Sequence, residues 1–218
     1  MEKTLKIIDW GLSSYTQAVD DQINLVDAKK TDSSSPDLLI FTEHSPVFTI
    51  GSRKSAESNL LWDQKTLKDK GIQVHKTNRG GDITYHGPGQ LVIYPILSLH
   101  KRDLADYLRK LEIVIIRVLQ SFEIDAGTRE HKTGIWIEDR KICAIGVAVK
   151  SWISYHGLAL NINPNLKHFK GIIPCGITDG SVTSLENEIS PLPEKKLIKE
   201  RFIVEFKSIF YEINYRLC

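Results

Sequence analysis

The sequence is poor in cysteine, and its cysteines follow no pairing or metal-binding pattern. Its 218 residues include three, Cys143, Cys175 and Cys218, and no two of them form a C-x-x-C motif. A disulfide framework and a structural zinc site are therefore not indicated. We expect a reducing compartment, the cytoplasm.

An excess of one charge and a long apolar run are also absent. The 29 basic and 27 acidic residues leave a net charge of +2, which does not point to nucleic acid or an acidic membrane. No apolar run approaches the ~18 residues that span a bilayer. The start of the chain, MEKTLKIIDWG, resembles neither a signal nor a transit peptide. We expect a soluble protein that binds neither nucleic acid nor membrane.

Phosphate-binding loops, internal repeats and linkers are missing as well. The sequence contains no G-x-G-x-x-G or G-x-x-x-x-G-K-[ST] pattern, so a nucleotide site finds no support. A chain of 218 residues without a linker is of a size that fits one domain. We expect residues 1–218 to form a single domain.

The spacing of apolar residues predicts both strands and helices. Strands are predicted over 4–9, 37–44, 46–51, 72–77, 91–99 and 154–163, with a hairpin over 133–149. Helices are predicted over 14–30, 56–70, 102–122 and 194–213. Hairpins outnumber strand–helix–strand repeats, which favours an α+β domain with a mixed, mostly antiparallel sheet flanked by helices.

One segment, RGGDITYHGPGQ (Arg79–Gln90), concentrates glycine and polar residues. It holds four glycines and one proline, and glycine lets a backbone approach a ligand closely. Arg79, Asp82, Tyr85 and His86 add polar groups to the same segment. The segment is either a ligand-binding loop or a plain turn between two strands.

Three titratable side chains are candidates for acid–base chemistry. His86 and His156 each precede a glycine, and imidazole titrates near neutrality. Each is either a general base or a structural hydrogen-bond donor. Lys141 begins the second strand of the predicted hairpin. It is either a solvated lysine beside a turn or, if it faces a pocket, an ammonium that stabilises a thiolate or carries a proton.

The stretch GIIPCGITDG seats Cys175 between a proline and a glycine. Structural cysteines usually lie within apolar periodic segments, whereas loops display reactive residues. Cys143 alternates with apolar neighbours in a predicted strand and Cys218 ends the sequence, so we expect no chemistry from either. The residue pattern leaves Cys175 open between packing and reaction.

Several segments together resemble a known enzyme family. They are TEHSPVFTIG, RGGDITYHGPGQLVIYPIL, GIWI with RKICAIGVAV, YHGLALNIN and IIPCGI. In this order they resemble the octanoyl-[acyl-carrier-protein]:protein N-octanoyltransferases of lipoate biosynthesis, most strongly over residues 42–185. The resemblance implies a catalytic domain with the fold of the biotin and lipoate protein ligases.

The resemblance also implies site residues. Cys175 corresponds to the family's acyl-thioester nucleophile, and Lys141 corresponds to the lysine that pairs with it. The implied substrate-binding residues are Arg79, Gly80, Gly81, Asp82, Ile83, Thr84, Tyr85, His86, Ala144, Ile145, Gly146, His156, Gly157, Leu158 and Ala159. Cys143 departs from the family, in which a small residue such as alanine is expected.

The implied reaction is an acyl transfer that begins protein lipoylation from endogenous octanoate. The octanoyl group would arrive on the phosphopantetheine of acyl carrier protein and pass through Cys175 to a lysine of lipoyl domains. These acceptors would be 2-oxoacid dehydrogenase E2 subunits and the glycine cleavage H protein. The resemblance implies a reaction that uses neither ATP nor metal, and we expect a monomer.

Three alternatives stay open. The first is an ATP-dependent lipoate or biotin ligase on the same fold, which needs no cysteine. The second is a thioester hydrolase that pairs Cys175 with His86 or His156. The third is a non-catalytic module that binds carrier protein.

Overall fold

A computed structural model describes residues 4–32, 34–130, 132–174 and 180–211. Across these residues the chain forms a large sheet, a small sheet and the helices that cover them. The strands are β1 (Leu5–Ser13), β2 (Asp37–His44), β3 (Val47–Ile50), β4 (Gln73–Lys76), β5 (Thr84–His86), β6 (Gln90–Ile96), β7 (Gly127–Arg129), β8 (Lys132–Ile137), β9 (Arg140–Lys150), β10 (Ile153–Asn161) and β11 (Ser181–Val182). The helices are α1 (Tyr15–Thr31), α2 (Gln64–Asp69), α3 (Leu104–Gln120), α4 (Leu185–Glu188) and α5 (Lys195–Phe210).

The large sheet has the strand order β1-β2-β6-β10-β9-β8-β7, and β11 pairs with β9 off this path. Its β1–β2 and β11–β9 pairs are parallel, and its other pairs are antiparallel. The small sheet has the order β4-β3-β5. This architecture confirms the predicted α+β class with a mixed, mostly antiparallel sheet.

Three apolar clusters hold these layers together. Helices α3 and α5 pack on one face of the large sheet, with Leu111 and Phe202 fully buried. Helix α1 packs on the other face through Ala18 and Val26. The third cluster packs against one face of the small sheet. Within the described residues, no helix is long and apolar enough to cross a lipid bilayer.

The helix predicted over 56–70 is wrong in extent. Residues Glu57–Asn59 form one 3-10 turn, and α2 begins only after Asp63, whose side chain accepts a hydrogen bond from the Thr66 N–H at 2.8 Å. Between them, Leu60 forms a β-bridge with Ile172. A backbone that pairs with a distant segment cannot also complete a helical turn, and the local pattern does not reveal such a pairing.

A buried ion pair joins the end of α1 to the start of β2. The Lys29 Nζ lies 2.9 Å from Asp37 Oδ1 and donates to the carbonyls of Ser35 and Pro36 at 2.7 and 3.0 Å. Asp37 accepts further hydrogen bonds from the Ser98 N–H at 3.1 Å and the Tyr211 hydroxyl at 2.9 Å. The pair thereby fixes α1, which supplies part of the cavity wall described below.

We predict that Lys29→Ala lowers the free energy of unfolding by about 3–5 kcal/mol, because it leaves the Asp37 carboxylate buried without its cation. Urea unfolding measures the change. Lys30→Ala is the matched control, since Lys30 is the exposed neighbour on the same helix, and surface changes of this kind fall within about 0.5 kcal/mol. Equal losses in the two variants would contradict the structural role of the pair.

Candidate functional site

A cavity of about 210 Å³ lies where the small sheet meets the large one. Its lining comes from Arg53, from the glycine-rich segment, from β6, β8, β9 and β10 of the large sheet, and from the N-terminal parts of α1 and α3. Most predicted site residues line it: Arg79, Gly80, Gly81, Asp82, Thr84, His86, Lys141, Ala144, Ile145, Gly146, His156, Gly157, Leu158 and Ala159.

Two predicted substrate-binding residues point elsewhere. Ile83 and Tyr85 alternate along the segment with the cavity-lining Thr84 and His86, so their side chains face the other way. Both are buried in the third apolar cluster, which packs against one face of the small sheet. The Tyr85 hydroxyl lies 2.8 Å from His168 Nδ1. These two side chains therefore lie outside the cavity lining, and their role in substrate binding stays a prediction. Cys175 lies outside the described residues.

The glycine-rich segment is held in place by a buried arginine. The Arg79 guanidinium donates to the carbonyls of Thr49 and Asp82, both at 2.7 Å, and to the Thr49 hydroxyl at 2.9 Å. The Gly80 N–H donates to the Val147 carbonyl at 2.8 Å. These bonds tie the segment to β3 on one side and to β9 on the other, so it forms a fixed wall rather than a loose turn.

The small residues of the cavity have two different roles. An added Cβ at Gly146 would lie 2.8 Å from the Gly80 carbonyl oxygen, and one at Gly157 would lie 2.1 Å from the Ile93 carbonyl oxygen. These glycines therefore allow backbones to approach closely. Ala144 and Ala159 lie directly opposite each other on β9 and β10 and line the cavity. The small side chains of this pair leave space inside it.

Lys141 reaches the cavity because of a β-bulge. Ile135 pairs with Cys143 and Trp136 pairs with Lys141, so β9 advances two residues where β8 advances one. In a regular strand, alternation would place Lys141 and Cys143 on the same face, and the extra residue, Ile142, breaks that alternation. In the structure Lys141 lines the cavity, and Cys143 packs in the core beneath α3 and α5.

The Lys141 side chain is enclosed. It is only 4% exposed, and its Nζ lies 5.3 Å from the centre of the Trp136 ring. Gly134 has a φ of +121° and faces it, and a Cβ there would lie 2.5 Å from Lys141 Cε. The interpretation of Lys141 as a solvated lysine beside a turn is therefore wrong.

The chain on either side of residues 175–179 is anchored, and the part that follows them lies against Lys141. The Ile173 N–H donates to the Asn59 carbonyl at 2.8 Å. Pro174 and Gly180 line one common cavity of about 370 Å³. Immediately afterwards, Val182 pairs with Lys141, and the Thr183 N–H donates to the Lys141 carbonyl at 2.9 Å. The chain that follows the segment thus runs beside Lys141.

His86 and His156 are neutral structural groups near pH 7. Burial and the nearby Arg79 cation lower the pKa of each to about 3, with His44 adding to the effect on His86. The His86 Nδ1 lies 2.7 Å from Gln90 Oε1, and the His156 Nε2 lies 3.0 Å from Asn78 Oδ1. Such low pKa values favour the structural interpretation over a general base working near neutrality.

Cys143 is a packing residue, as predicted. It is fully buried, and burial raises the pKa of its thiol to about 12 despite the nearby Lys141 cation. A thiol with so high a pKa is not a nucleophile near neutral pH.

Sequence reasoning did not identify several residues that shape the site. Gly134 and Trp136 enclose Lys141, and Tyr15 and Tyr94 add aromatic walls. A glycine within a strand often marks a close approach of backbones, so Gly134 in TGIWI carried a usable signal. The tyrosines carried none, because they come from distant elements.

Comparison with known proteins places the chain in a family. Residues 15–207 match the model of the lipoyl protein ligase A/B catalytic domain. An octanoyltransferase from Bacteroides fragilis is 44% identical over 204 residues, covering 88% of this chain and 92% of that protein. One from Rubrobacter xylanophilus is 46% identical over 180 residues, covering 82% and 81%. The chain belongs to the octanoyltransferase family within the lipoyl protein ligase A/B catalytic domains. It is an enzyme of the transferase class.

Solved structures confirm the predicted fold of this octanoyltransferase family member. A lipoate-protein ligase A bound with ATP superposes with a TM-score of 0.77 at 16% identity, covering 97% of this chain and 86% of that one. The biotin protein ligase of Aquifex aeolicus in complex with biotin and ATP gives 0.57 at 13% identity, covering 98% and 73%.

We predict that this octanoyltransferase family member loses stability as the pH falls from about 6.5 towards 4. Burial lowers the pKa of His44 to about 4 and those of His86 and His156 to about 3 in the folded protein. In this window the unfolded chain binds protons that the folded one does not, so each histidine removes about 1.4 kcal/mol per pH unit.

Urea unfolding at pH 7, 6 and 5 measures this slope. His156→Asn should reduce the slope by about 1.4 kcal/mol per pH unit, because asparagine does not titrate. Asparagine also tolerates the positive φ of 55° at that position. An unchanged slope in this variant would show that His156 is protonated in the folded state.

Proposed function

We propose that the chain transfers an octanoyl group from octanoyl-acyl carrier protein, through a thioester on Cys175, to a lysine amine of lipoyl domains. The observation that carries the proposal is the placement of Lys141. This buried lysine lies in the cavity wall and pairs with β11, the strand that follows the Cys175 segment. The spacing of Lys141 and Cys175 in the sequence matches that of the lysine and cysteine of the family that the chain resembles.

The chemistry balances without an energy source. The Cys175 thiolate attacks the donor's thioester carbonyl, a new C–S bond forms, and the thiolate of the phosphopantetheine leaves. The acceptor lysine then attacks the acyl-cysteine, an amide forms, the Cys175 thiolate leaves and the amine loses a proton. Exchange between thioesters is nearly isoenergetic and amide formation is downhill. The proposed reaction therefore uses neither ATP nor metal.

Lys141 would serve both steps. As an ammonium beside the thiol it favours the Cys175 thiolate. In its neutral form it accepts the proton that the attacking amine releases. The low exposure of Lys141 keeps this exchange away from bulk water.

The cavity suits an apolar chain. Ala144, Ala159 and Val92 contribute apolar surface to its lining. Burial of the seven carbons beyond the carbonyl supplies about 5–6 kcal/mol, at ~0.8 kcal/mol per methylene. That gain is enough to discriminate an octanoyl chain from one several carbons shorter.

The relatives support the proposed acyl group and acceptors, whereas acyl carrier protein as the donor is what the family resemblance implies. Those at 44% and 46% identity are named octanoyltransferases. A structurally similar ligase from Thermoplasma acidophilum was solved as part of a lipoylation system with its E2 lipoyl domain. We propose lipoyl domains of 2-oxoacid dehydrogenase E2 subunits and the glycine cleavage H protein as acceptors. The enzyme would act as a monomeric, single-domain protein in the cytoplasm.

The alternatives have less support. The ATP-bound ligase shares 16% identity with this chain, whereas the octanoyltransferases share 44–46%. A Cys–His hydrolase needs an imidazole that titrates near neutrality, and the pKa values of His86 and His156 are lowered to about 3. A non-catalytic module would form no covalent adduct.

We predict that incubation with octanoyl-acyl carrier protein adds one octanoyl group to Cys175, and that an apo lipoyl domain removes it. Intact-mass and peptide mass spectrometry locate the adduct. Cys175→Ser should abolish the thioester, and Cys143→Ala should retain it because Cys143 is buried in the core.

Each alternative has its own outcome in this experiment. No adduct, or an adduct on Cys143 alone, would overturn the proposal. Ligation by Cys175→Ser in the presence of ATP would indicate a ligase. Rapid release of octanoate without an acceptor would indicate a hydrolase.

We further predict that Gly134→Ala slows formation of the acyl-enzyme by about ten- to a hundredfold, because the added Cβ displaces Lys141 from its productive position. Single-turnover kinetics measure the rate on folded protein. Gly127→Ala on the neighbouring strand is the control, since a Cβ there meets nothing within 4 Å. Unchanged kinetics in folded Gly134→Ala would show that the exact position of Lys141 is not critical.

A further inference from the structure

Two buried amide side chains meet at the end of the large sheet nearest Lys141. Gln90 begins β6 and Asn161 ends β10, directly opposite each other. They are 1% and 4% exposed. The Gln90 amide donates to Asn161 Oδ1 at 2.8 Å and to the Tyr85 carbonyl at 3.2 Å. Both donors of Gln90 are therefore used, and only its oxygen is left to accept.

In one direction the pair leads to His86. Because the Gln90 oxygen can only accept, the His86 Nδ1, 2.7 Å away, carries the proton. The His86 Nε2 is then an acceptor, and it lies 3.4 Å from the Thr49 hydroxyl. That hydroxyl oxygen also accepts from Arg79 at 2.9 Å. The amide pair thus sets the tautomer of His86 in the cavity wall and connects to the arginine that holds the glycine-rich segment.

In the other direction the pair leads to Lys141. The Asn161 amide donates to the Thr183 carbonyl at 2.8 Å, and the Thr183 N–H donates to the Lys141 carbonyl at 2.9 Å. From its other side, the Thr183 hydroxyl donates to Glu188 at 2.6 Å. Asn161 therefore holds the chain that follows β11 against the main chain of Lys141.

We infer that Gln90 and Asn161 are positioning residues for the proposed transfer, forming a hydrogen-bonded relay from His86 in the cavity wall to the main chain of Lys141. The inference rests on the proposed function, because Lys141 is the group that the relay serves. Each relay member is buried, so removal of one leaves its partners unsatisfied, and they must move to regain hydrogen bonds.

The relay acts on the position of Lys141 rather than on the part of the cavity proposed to hold the acyl chain, which Ala144 and Ala159 line. Its loss should therefore slow the chemical steps and leave donor binding nearly intact. A shift of about 1 Å in a catalytic group can cost about a hundredfold in rate. A merely structural role would instead lower the amount of folded enzyme without changing the rate per folded molecule.

The first test uses Asn161→Leu, which removes both the donor and the acceptor at similar volume. We expect kcat, and the single-turnover rates of both acylation and transfer, to fall by about ten- to a hundredfold. We expect KM for octanoyl-acyl carrier protein to change little. Rates are expressed per folded molecule from circular dichroism of the same samples.

The matched control is Ser154→Ala on the same strand. Ser154 is fully buried, donates to the Pro95 carbonyl at 2.8 Å and accepts from the Leu97 N–H at 3.0 Å. It lies at the opposite end of β10 from Asn161. Ser154→Ala should lose stability yet keep its kcat. Equal kcat losses in Asn161→Leu and Ser154→Ala would overturn the inference.

Gln90→Glu separates the two arms of the relay: the His86 arm, which runs from Gln90 to His86, and the Lys141 arm, which runs from Gln90 through Asn161 and Thr183 to Lys141. It also covers the case in which Asn161→Leu does not fold. It keeps an oxygen for the His86 Nδ1–H but removes the donor to Asn161. We expect the His86 tautomer to be preserved and kcat to fall about tenfold or more. Wild-type kcat in folded Gln90→Glu would contradict the Lys141 arm.

A nitrogen-15 NMR measurement of the His86 ring gives a readout independent of activity. The wild-type protein should show its proton on Nδ1, and Gln90→Leu should lose this preference. An unchanged ring spectrum in Gln90→Leu would refute the His86 arm. If the wild-type enzyme transfers no octanoyl group, the proposed function fails, and the ring spectra still decide whether Gln90 sets the tautomer of His86.

Discussion

The site depends on the hydrogen bonds that the buried Arg79 guanidinium donates. It bonds to the carbonyl and hydroxyl of Thr49 in the small sheet and to the carbonyl of Asp82 in its own segment. Gly80 then meets Val147 of the large sheet. A guanidinium offers five donors in a fixed geometry and keeps its charge. One side chain can therefore hold a glycine-rich backbone rigidly, and this backbone walls the cavity.

Burial of the site makes each polar group depend on its neighbours. Burial removes these groups from water, so the imidazoles in the cavity wall and the amides packed beside them need partners within the protein. The His86 ring bonds to Gln90, and Gln90 bonds to Asn161. His156 bonds to Asn78. The same exclusion of water lowers the histidine pKa values. In this way packing settles which groups are free to carry protons.

Prediction from the sequence succeeded where the pattern is local. Helix α3 follows from apolar spacing, since its hydrophobic face repeats over many residues, and strand β2 follows from a short continuous apolar run. Strands β5 and β11 were not predicted, because two or three residues carry no period and pair only with distant strands. The motif also does not show that alternation turns the side chains of Ile83 and Tyr85 away from the cavity that Thr84 and His86 line.

The sequence by itself determined the family, the order of its motifs and the candidate residues, because these are properties of residue identity and spacing. Tertiary structure decided which candidates share a cavity. Simple alternation places Lys141 beside Cys143, and a single bulge at Ile142 separates them. A bulge depends on how two strands register against each other, which no local pattern encodes. For the same reason the amide pair of Gln90 and Asn161 becomes visible only after β6 and β10 are paired.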